Sequence, residues 1–85
     1  MTNSKELLKV ISASGLKKKW IASKVGLSYF GLQKKINNES EFKASEIMTL
    51  CEILHIESAQ RRSEIFFAHE VDKNSTNQMI EKEET

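Results

Sequence analysis

The sequence predicts an all-α domain of five helices, and three observations lead to this prediction. Its 85 residues contain no proline and only three glycines, so few positions interrupt a helix. Apolar residues recur at the three- and four-residue spacing of amphipathic helices. With 39% hydrophobic and 29% charged residues, the composition is typical of one globular domain. We expect this domain to cover residues 1–71 and the polar residues 72–85 to form a disordered tail.

The first helix is predicted to begin after Asn3, whose side chain can cap the free amides while Glu6 completes a capping box. Gly15 is expected to end this helix, because glycine adopts the left-handed backbone conformation at little cost. The predicted buried side chains of the helix are Leu7, Leu8 and Ile11.

Two short helices follow, separated by a three-residue turn. The second helix is predicted over residues 18–25, and the third over residues 28–37 with a serine cap. Gly26 stands where the turn requires a positive φ, and Ala22 is small enough for the two helices to cross closely. Asn38 is the predicted left-handed stop of the third helix.

The last two helices are predicted from staples, caps and apolar spacing. The fourth covers residues 44–55, with a hydrophobic staple between Phe42 and Ile47 at its start. The fifth begins at Ser58, and its apolar pattern fades after Val71. The apolar members of the fifth helix are Ala59, Ile65 and Phe66, and Phe67 is a further candidate.

The net charge of +1 conceals an uneven distribution of charge along the chain. Residues 1–38 contain eight lysines and one acid, residues 39–71 have a net charge of −4, and residues 72–85 have a net charge of −2. A basic first half favours a polyanion-binding surface on one side of the domain. The alternative is an ordinary lysine-rich helix face in contact with solvent.

The segment over residues 18–37 has the pattern of a helix-turn-helix. Ala22 precedes Gly26 by four positions, and apolar side chains are expected at the crossing of the two helices. These residues resemble the lambda-repressor and Cro-like helix-turn-helix family of small phage and bacterial transcription regulators. The resemblance covers residues 3–68 and implies a five-helix DNA-binding domain. The apolar residues that support it are Ile21, Val25, Leu27, Leu32 and Ile36.

The resemblance implies that the third helix is the recognition helix, which enters the major groove of double-stranded DNA. On a helical wheel, Phe30, Gln33 and Lys34 point away from the core positions. Gln33 can offer two hydrogen bonds to adenine, Lys34 can donate to guanine or a phosphate, and Phe30 can pack on a thymine methyl group. Ser28 and Tyr29 complete the predicted base contacts. The alternative for Tyr29 and Phe30 is a place in the core. The alternative for Gln33 and Lys34 is contact with solvent alone.

Phosphate contacts are predicted at both ends of this pair of helices, because such contacts fix the register of a protein on DNA. Lys18 lies at the start of the second helix, where free backbone amides favour an anion. The other predicted phosphate contacts lie around the end of the third helix and are Lys35, Asn37, Asn38 and Lys43. For each lysine, contact with solvent alone is the alternative.

The resemblance also implies a function, a sequence-specific transcription regulator such as a phage or prophage repressor that occupies its operator. Members of the family commonly bind as twofold dimers, so we expect a homodimer on a palindromic operator. The predicted dimer contacts are Ile65, Phe66 and Phe67, with closure of the monomer core as their alternative role. The alternative function is a protein-interaction module, such as an antitoxin or an antirepressor.

An enzyme, a metalloprotein and a membrane protein have little support in the sequence. Cys51 and His55 lie four positions apart, but there is no second thiol and only one other histidine. Cys51 falls in an apolar stripe, so we predict an inert core residue rather than a nucleophile. There is no glycine-rich phosphate loop and no apolar run of membrane-spanning length. We expect no catalytic residue, metal, cofactor, small-molecule ligand or membrane contact, and a place at the nucleoid in the bacterial cytoplasm.

Overall fold

Five α-helices make up the part of the chain that the computed structural model describes, residues 1–68. They are α1 Ser4–Ser14, α2 Lys18–Val25, α3 Tyr29–Ile36, α4 Ala44–Ile53 and α5 Ala59–Phe66. No strand occurs within these residues, so the predicted all-α class is confirmed. The predicted domain limit at residue 71 and the predicted disordered tail, residues 72–85, lie outside the described residues. None of the five helices is long and apolar enough to cross a membrane.

Side-chain caps mark the starts of α1, α3 and α5, and glycines mark the ends of α1 and α2. Asn3, Ser28 and, before α5, Ser58 each accept a hydrogen bond from the backbone N–H three residues later. Gly15 and Gly26 follow α1 and α2 with φ of 75° and 84°, in the left-handed region that glycine adopts without strain. These local signals are readable in the sequence, and the predicted limits of α1, α2 and α3 accordingly agree with the structure.

The end of α4 comes two residues earlier than the prediction. The helix stops at Ile53, and His55 takes a φ of 58°, which turns the backbone out of the helical path. Asn38 also lies in the left-handed region, with a φ of 65°, as predicted. Histidine signals a helix end less strongly than glycine or asparagine, so the prediction for α4 extended too far.

One hydrophobic core joins all five helices. α2 packs against α3 and α4, while α1 packs against α3 and α5. Ala22 is buried at the crossing of α2 and α3, and Phe42 meets the edge of the Phe66 ring with centroids 5.7 Å apart. The largest side chains that the core encloses completely are Leu7, Ile21, Leu32, Ile36, Leu50 and Ile65.

Two predicted core positions lie on the surface. Leu8 is exposed because it follows Leu7 by one position and is therefore rotated by about 100° around the helix axis. The partly buried residue of α1 that packs against the core is Val10. Ala59 is exposed in the first turn of α5, because it precedes the buried Ile65 by six positions and therefore lies about 120° away from it around the helix axis.

Cys51 packs partly buried against the core, as its place in the apolar stripe predicted. Burial raises the pKa of the Cys51 thiol, although the charge of Arg62 acts in the opposite direction. The thiol is therefore protonated at neutral pH and lacks the thiolate character of a nucleophile.

Candidate nucleic-acid interface

α2 and α3 are joined by the three residues 26–28 and pack directly against each other. The Leu27 N–H donates to the Ala22 carbonyl at 2.9 Å, so the turn follows the last turn of α2 without a gap. Ser28 Oγ accepts the Gly31 N–H at 2.9 Å. A Cβ atom at Gly31 would lie only 3.2 Å from this oxygen, so the glycine leaves room for the cap. The Ser28 hydroxyl thus caps the N-terminus of α3.

The outer face of α3 exposes an aromatic ring to solvent. Phe30 is 78% exposed, and Tyr29 beside it is 46% exposed. Lys34 is also exposed and lies four positions after Phe30, on the same line along the helix. The alternative of a core role is therefore wrong for Phe30. The ring and the neighbouring lysine give the outer face of α3 one apolar and one cationic contact group.

Gln33 lies at the edge of this face rather than at its centre. The residue is partly buried, and its Oε1 atom is enclosed without a hydrogen-bond donor among residues 1–68. Rotation of the amide by 180° exchanges this oxygen with the NH₂ group, so Gln33 has both a donor and an acceptor to offer at the edge of the face.

The N-terminus of α2 is basic and has no side-chain cap. Lys17 is the N-cap residue, and the first turn contains no acid. Lys18 is partly buried, whereas Lys17 and Lys19 are exposed. Within residues 1–68, no carboxylate lies within 4.0 Å of Lys18 or Lys34. Free backbone amides and the positive end of the helix dipole together favour an anion at this position.

Two of the predicted phosphate contacts have partners inside the protein instead. Lys35 Nζ lies 2.7 Å from Glu46 Oε1, and both side chains are largely buried. Asn38 accepts the Thr2 N–H and donates to the Thr2 carbonyl, each at 2.8 Å. These side chains hold the end of α3 against α4 and the N-terminal segment, which leaves them less available to DNA. The exposed members of the predicted set at this end of α3 are Asn37, Asn38 and Lys43, and Lys35 is partly buried.

Glu46 connects the end of α3 with the start of α4. Its Oε1 accepts hydrogen bonds from the Lys35 ammonium and, at 2.8 Å, from the Lys43 backbone N–H. Burial raises the pKa of the Glu46 carboxyl, but these two hydrogen bonds outweigh that effect and hold the pKa below its ordinary value. Glu46 is therefore ionised at neutral pH and compensates the charge of Lys35.

Trp20 and Lys24 extend the exposed surface along α2, and the sequence prediction did not include them. Trp20 is 43% exposed, and Lys24 Nζ lies 5.3 Å from the centroid of its ring. This is the geometry of a cation–π contact. The four-residue spacing of tryptophan and lysine on one helix is the signal that would have revealed the pair.

The predicted dimer contacts divide between the core and the surface. Ile65 and Phe66 are enclosed by the core of the monomer, so they are unavailable to a second folded copy and this part of the prediction is wrong. Phe67 is 54% exposed. It borders an open groove between α1 and α5, at whose side Glu6 and Arg61 form an ion pair.

No metal site appears in the described part of the chain, since no three His, Cys, Asp or Glu side chains come together there. Comparison of the chain with protein-family models, with curated proteins and with solved structures finds no match. The chemistry of the α2–α3 surface therefore provides the basis for a functional proposal.

Proposed function

We propose that this chain is a sequence-specific, double-stranded DNA-binding transcription regulator, with α3 as the recognition helix in the major groove. We propose that it acts as a Cro-like phage or prophage repressor in the bacterial cytoplasm, which occupies an operator. The observation that supports this proposal is the exposed face of α2 and α3, which combines lysines and aromatic rings with a complete lack of carboxylates over residues 7–38.

Each part of this face matches one component of DNA recognition. Lys18 and the uncapped amides of α2 suit a phosphate group, which would fix the register of the protein on the duplex. α3 is eight residues long, about 12 Å, and the major groove is wide enough to admit an α-helix. The exposed side chains of Phe30 and Lys34 would then face the base edges.

The distribution of charge supports binding that is selective for one face. Residues 1–38 have a net charge of +7, whereas the following segment to residue 71 has a net charge of −4. Phosphate attraction would orient the basic face towards DNA, while the acidic remainder would limit adhesion through other faces.

A homodimer on a palindromic operator is part of the proposal. One recognition helix reads few base pairs, so two copies related by a twofold axis would double the length of the site. Phe67 is the proposed dimer contact, because it is the exposed member of the predicted set.

The proposal can be tested by selection of duplexes from a random DNA pool near physiological salt, followed by sequencing. We expect a palindrome with half-sites about ten base pairs apart, centre to centre. A Phe30→Ala/Lys34→Ala variant is expected to retain its fold and lose this preference, because both side chains are exposed. Lys9→Ala on α1 is the control, since Lys9 is an exposed lysine outside α2 and α3 whose ammonium lies 3.9 Å from the Glu6 carboxylate.

Failure of the purified chain to enrich any sequence would contradict the proposal. The alternative, a protein-interaction module such as an antitoxin or an antirepressor, would then be favoured. This alternative predicts that the Phe30→Ala/Lys34→Ala variant loses binding to a protein partner. It also predicts that any binding of the chain to DNA is weak, sensitive to salt and independent of the DNA sequence.

A further inference from the structure

The outer side of α2 has an exposed tryptophan that the proposed DNA contacts do not use. Trp20 is 43% exposed, and Lys24 Nζ lies 5.3 Å from the centroid of its ring. Ala22 is buried where α2 crosses α3, and Trp20 lies two positions earlier, about 200° away around the helix axis. The indole therefore points away from α3, and it stays accessible to another partner when α3 lies in a groove.

This Trp20 surface, which consists of Lys19, Trp20 and Lys24, is positively charged. Both lysines are exposed, and no carboxylate of residues 1–68 lies within 4.0 Å of either ammonium. An apolar ring gains from burial, and lysines at its margin gain from opposite charge. The Trp20 surface thus favours a counterpart that is partly apolar and acidic.

The same chain has such a counterpart at the end of α4. An open groove of about 360 Å³, the α4 groove, is lined by Cys51, Glu52, His55, Ile56 and Glu57. Cys51 and Ile56 belong to the core or its edge and supply apolar atoms. Glu52 and Glu57 are exposed, and within the described part of the chain no basic nitrogen lies within 4.0 Å of their carboxylates. Trp20 does not line this groove in its own chain, so contact between the two surfaces requires a second copy.

The distribution of charge along the chain favours this pairing of surfaces. Residues 1–38 have a net charge of +7, and residues 39–71 have a net charge of −4. Two basic surfaces repel each other, as do two acidic ones, whereas the basic part of one copy attracts the acidic part of the next. Such a contact is heterologous, because it joins two different surfaces. It includes neither α3 nor Phe67, which are not part of the Trp20 surface or the α4 groove.

We infer that the Trp20 surface of one copy binds the α4 groove of a second copy. The indole ring covers the apolar atoms of the groove, and the Lys24 ammonium lies beside the carboxylates of Glu52 and Glu57. This head-to-tail contact goes beyond the proposed DNA-binding function and is separate from the proposed twofold contact at Phe67. Because the interface is small, association is expected to be weak and to require a high protein concentration.

Trp20 is the only tryptophan of the chain, so its fluorescence reports directly on this contact. In the absence of DNA and at low ionic strength, we expect the emission maximum to move to shorter wavelength as the protein concentration rises, because the indole leaves water. Addition of salt should reverse the shift, since salt screens charges at the protein surface.

Charge variants test the groove side of the contact. Glu52→Gln/Glu57→Gln is expected to weaken association about two- to tenfold. Glu39→Gln/Glu41→Gln is the matched control, because it removes the same charge from exposed residues that do not line the α4 groove, and it should associate like the wild type.

Arg62 provides a variant with the opposite sign. The residue is exposed, and its charge acts on the Cys51 thiol in the α4 groove. The same charge repels the Lys24 ammonium of an incoming copy. We therefore expect Arg62→Gln to strengthen association.

Mixing of two complementary variants tests whether the contact joins two different surfaces. Glu52→Lys/Glu57→Lys disables the α4 groove and keeps the Trp20 surface, whereas Trp20→Ala/Lys24→Glu does the reverse. Neither variant should associate alone. The emission of the first variant is expected to shift when the second, which has no tryptophan, is added. Lys24→Glu alone keeps the indole and replaces the second variant if Trp20→Ala impairs folding, with sedimentation of the mixture as the measurement.

A shift that depends on concentration and salt, together with association of the mixed variants, supports the inference. An emission maximum that stays constant while the chain sediments as a dimer would overturn it and leave Phe67 as the contact between copies. Association of the mixture that is no stronger than that of each variant alone would overturn it as well. These results are independent of the duplex selection that tests the DNA-binding proposal.

Discussion

Lys35 of α3 and Glu46 of α4 form a largely buried ion pair, in which Nζ and Oε1 are 2.7 Å apart and the side chains are 11% and 9% exposed. Glu46 also accepts the Lys43 N–H at the start of α4. One carboxylate therefore ties α3 to the next helix. Lys35 lies on the flank of α3, about 140° around the helix axis from Phe30. The ion pair can therefore fix how α3 is rotated about its own axis, and this rotation sets the direction in which Phe30 points.

Removal of Lys35 alone is expected to destabilise the protein strongly. In Lys35→Met the Glu46 carboxylate stays buried without its cation, and such an uncompensated charge costs about 3 kcal/mol. The free energy of unfolding, measured by urea titration at pH 7, tests this. The double variant Lys35→Met/Glu46→Gln keeps an acceptor for the Lys43 N–H and removes the charge, so it should recover much of the loss. Equal stability of the single and double variants would contradict a role of the charge pair.

The same ion pair predicts how stability depends on pH. The pKa of Glu46 in the folded protein lies below its ordinary value of 4.5. The stabilisation from the pair is therefore complete above pH 4.5 and is lost as the pH falls through the lower pKa of the folded state. We expect the difference in unfolding free energy between the wild type and Lys35→Met to shrink as the pH is lowered from 5 to 3. A difference that stays constant over this interval would show that Lys35 stabilises the fold by packing alone.

Asn38 combines a left-handed backbone with side-chain bonds to the N-terminal segment, and two substitutions separate these contributions. Asn38→Gly keeps the φ of 65° accessible but removes both hydrogen bonds to Thr2, for an expected loss of about 1–2 kcal/mol. Asn38→Ala removes the same bonds and adds backbone strain of about 1–2 kcal/mol. Alanine is therefore expected to be the worse substitution in thermal or urea unfolding. If both variants lose the same stability, the backbone conformation contributes nothing.

The helix limits could be predicted because the signals for them are local. A cap such as Asn3 or Ser28 and a turn glycine such as Gly26 act on the few residues beside them, so the sequence alone identifies them. α5 is one exception, since it ends at Phe66 although its apolar pattern was predicted to extend to Val71. His55 is the other exception among the described helix ends. Histidine adopts the left-handed conformation more readily than most residues, but glycine and asparagine mark helix ends far more often, so the signal is weak.

The candidate site could be predicted only in part, because the partners of its polar residues are distant in sequence. Lys35 reaches Glu46, eleven positions later, and Asn38 reaches Thr2, thirty-six positions earlier. A helical wheel gives the direction of a side chain but not the presence of such a partner. Phe30 and Lys34, which point to the centre of the outer face, need no distant partner, and for them the wheel and the structure agree.

Substitutions of the neighbouring residues Phe67 and Phe66 distinguish the proposed dimer contact from the core of the monomer. Phe67→Ser removes an exposed ring, so we expect the monomer to remain stable while self-association weakens, as measured by sedimentation at increasing protein concentration. Phe66→Ala removes a buried ring that contacts Phe42, so it is expected to lower the unfolding free energy by about 3–5 kcal/mol. A wild-type chain that stays monomeric at high concentration and on a palindromic duplex, or a Phe67→Ser variant that associates like the wild type, would rule out this contact.

The salt dependence of DNA binding separates a phosphate contact from a base contact. Each phosphate that is neutralised by a lysine contributes about −0.9 to the slope of log affinity against log salt concentration. We expect Lys18→Ala to reduce the magnitude of this slope by about that amount and to weaken binding equally for the selected and for random duplexes. Lys34→Ala is expected to affect the selected duplex more than the random one, because its ammonium is proposed to contact a base. Lys9→Ala should leave slope and affinity unchanged, since the Lys9 ammonium lies beside Glu6 on α1. If Lys18→Ala left the salt slope and the affinity unchanged, as expected for Lys9→Ala, the start of α2 would not be a phosphate contact. The orientation proposed for α3 in the groove would then lack the contact that fixes it.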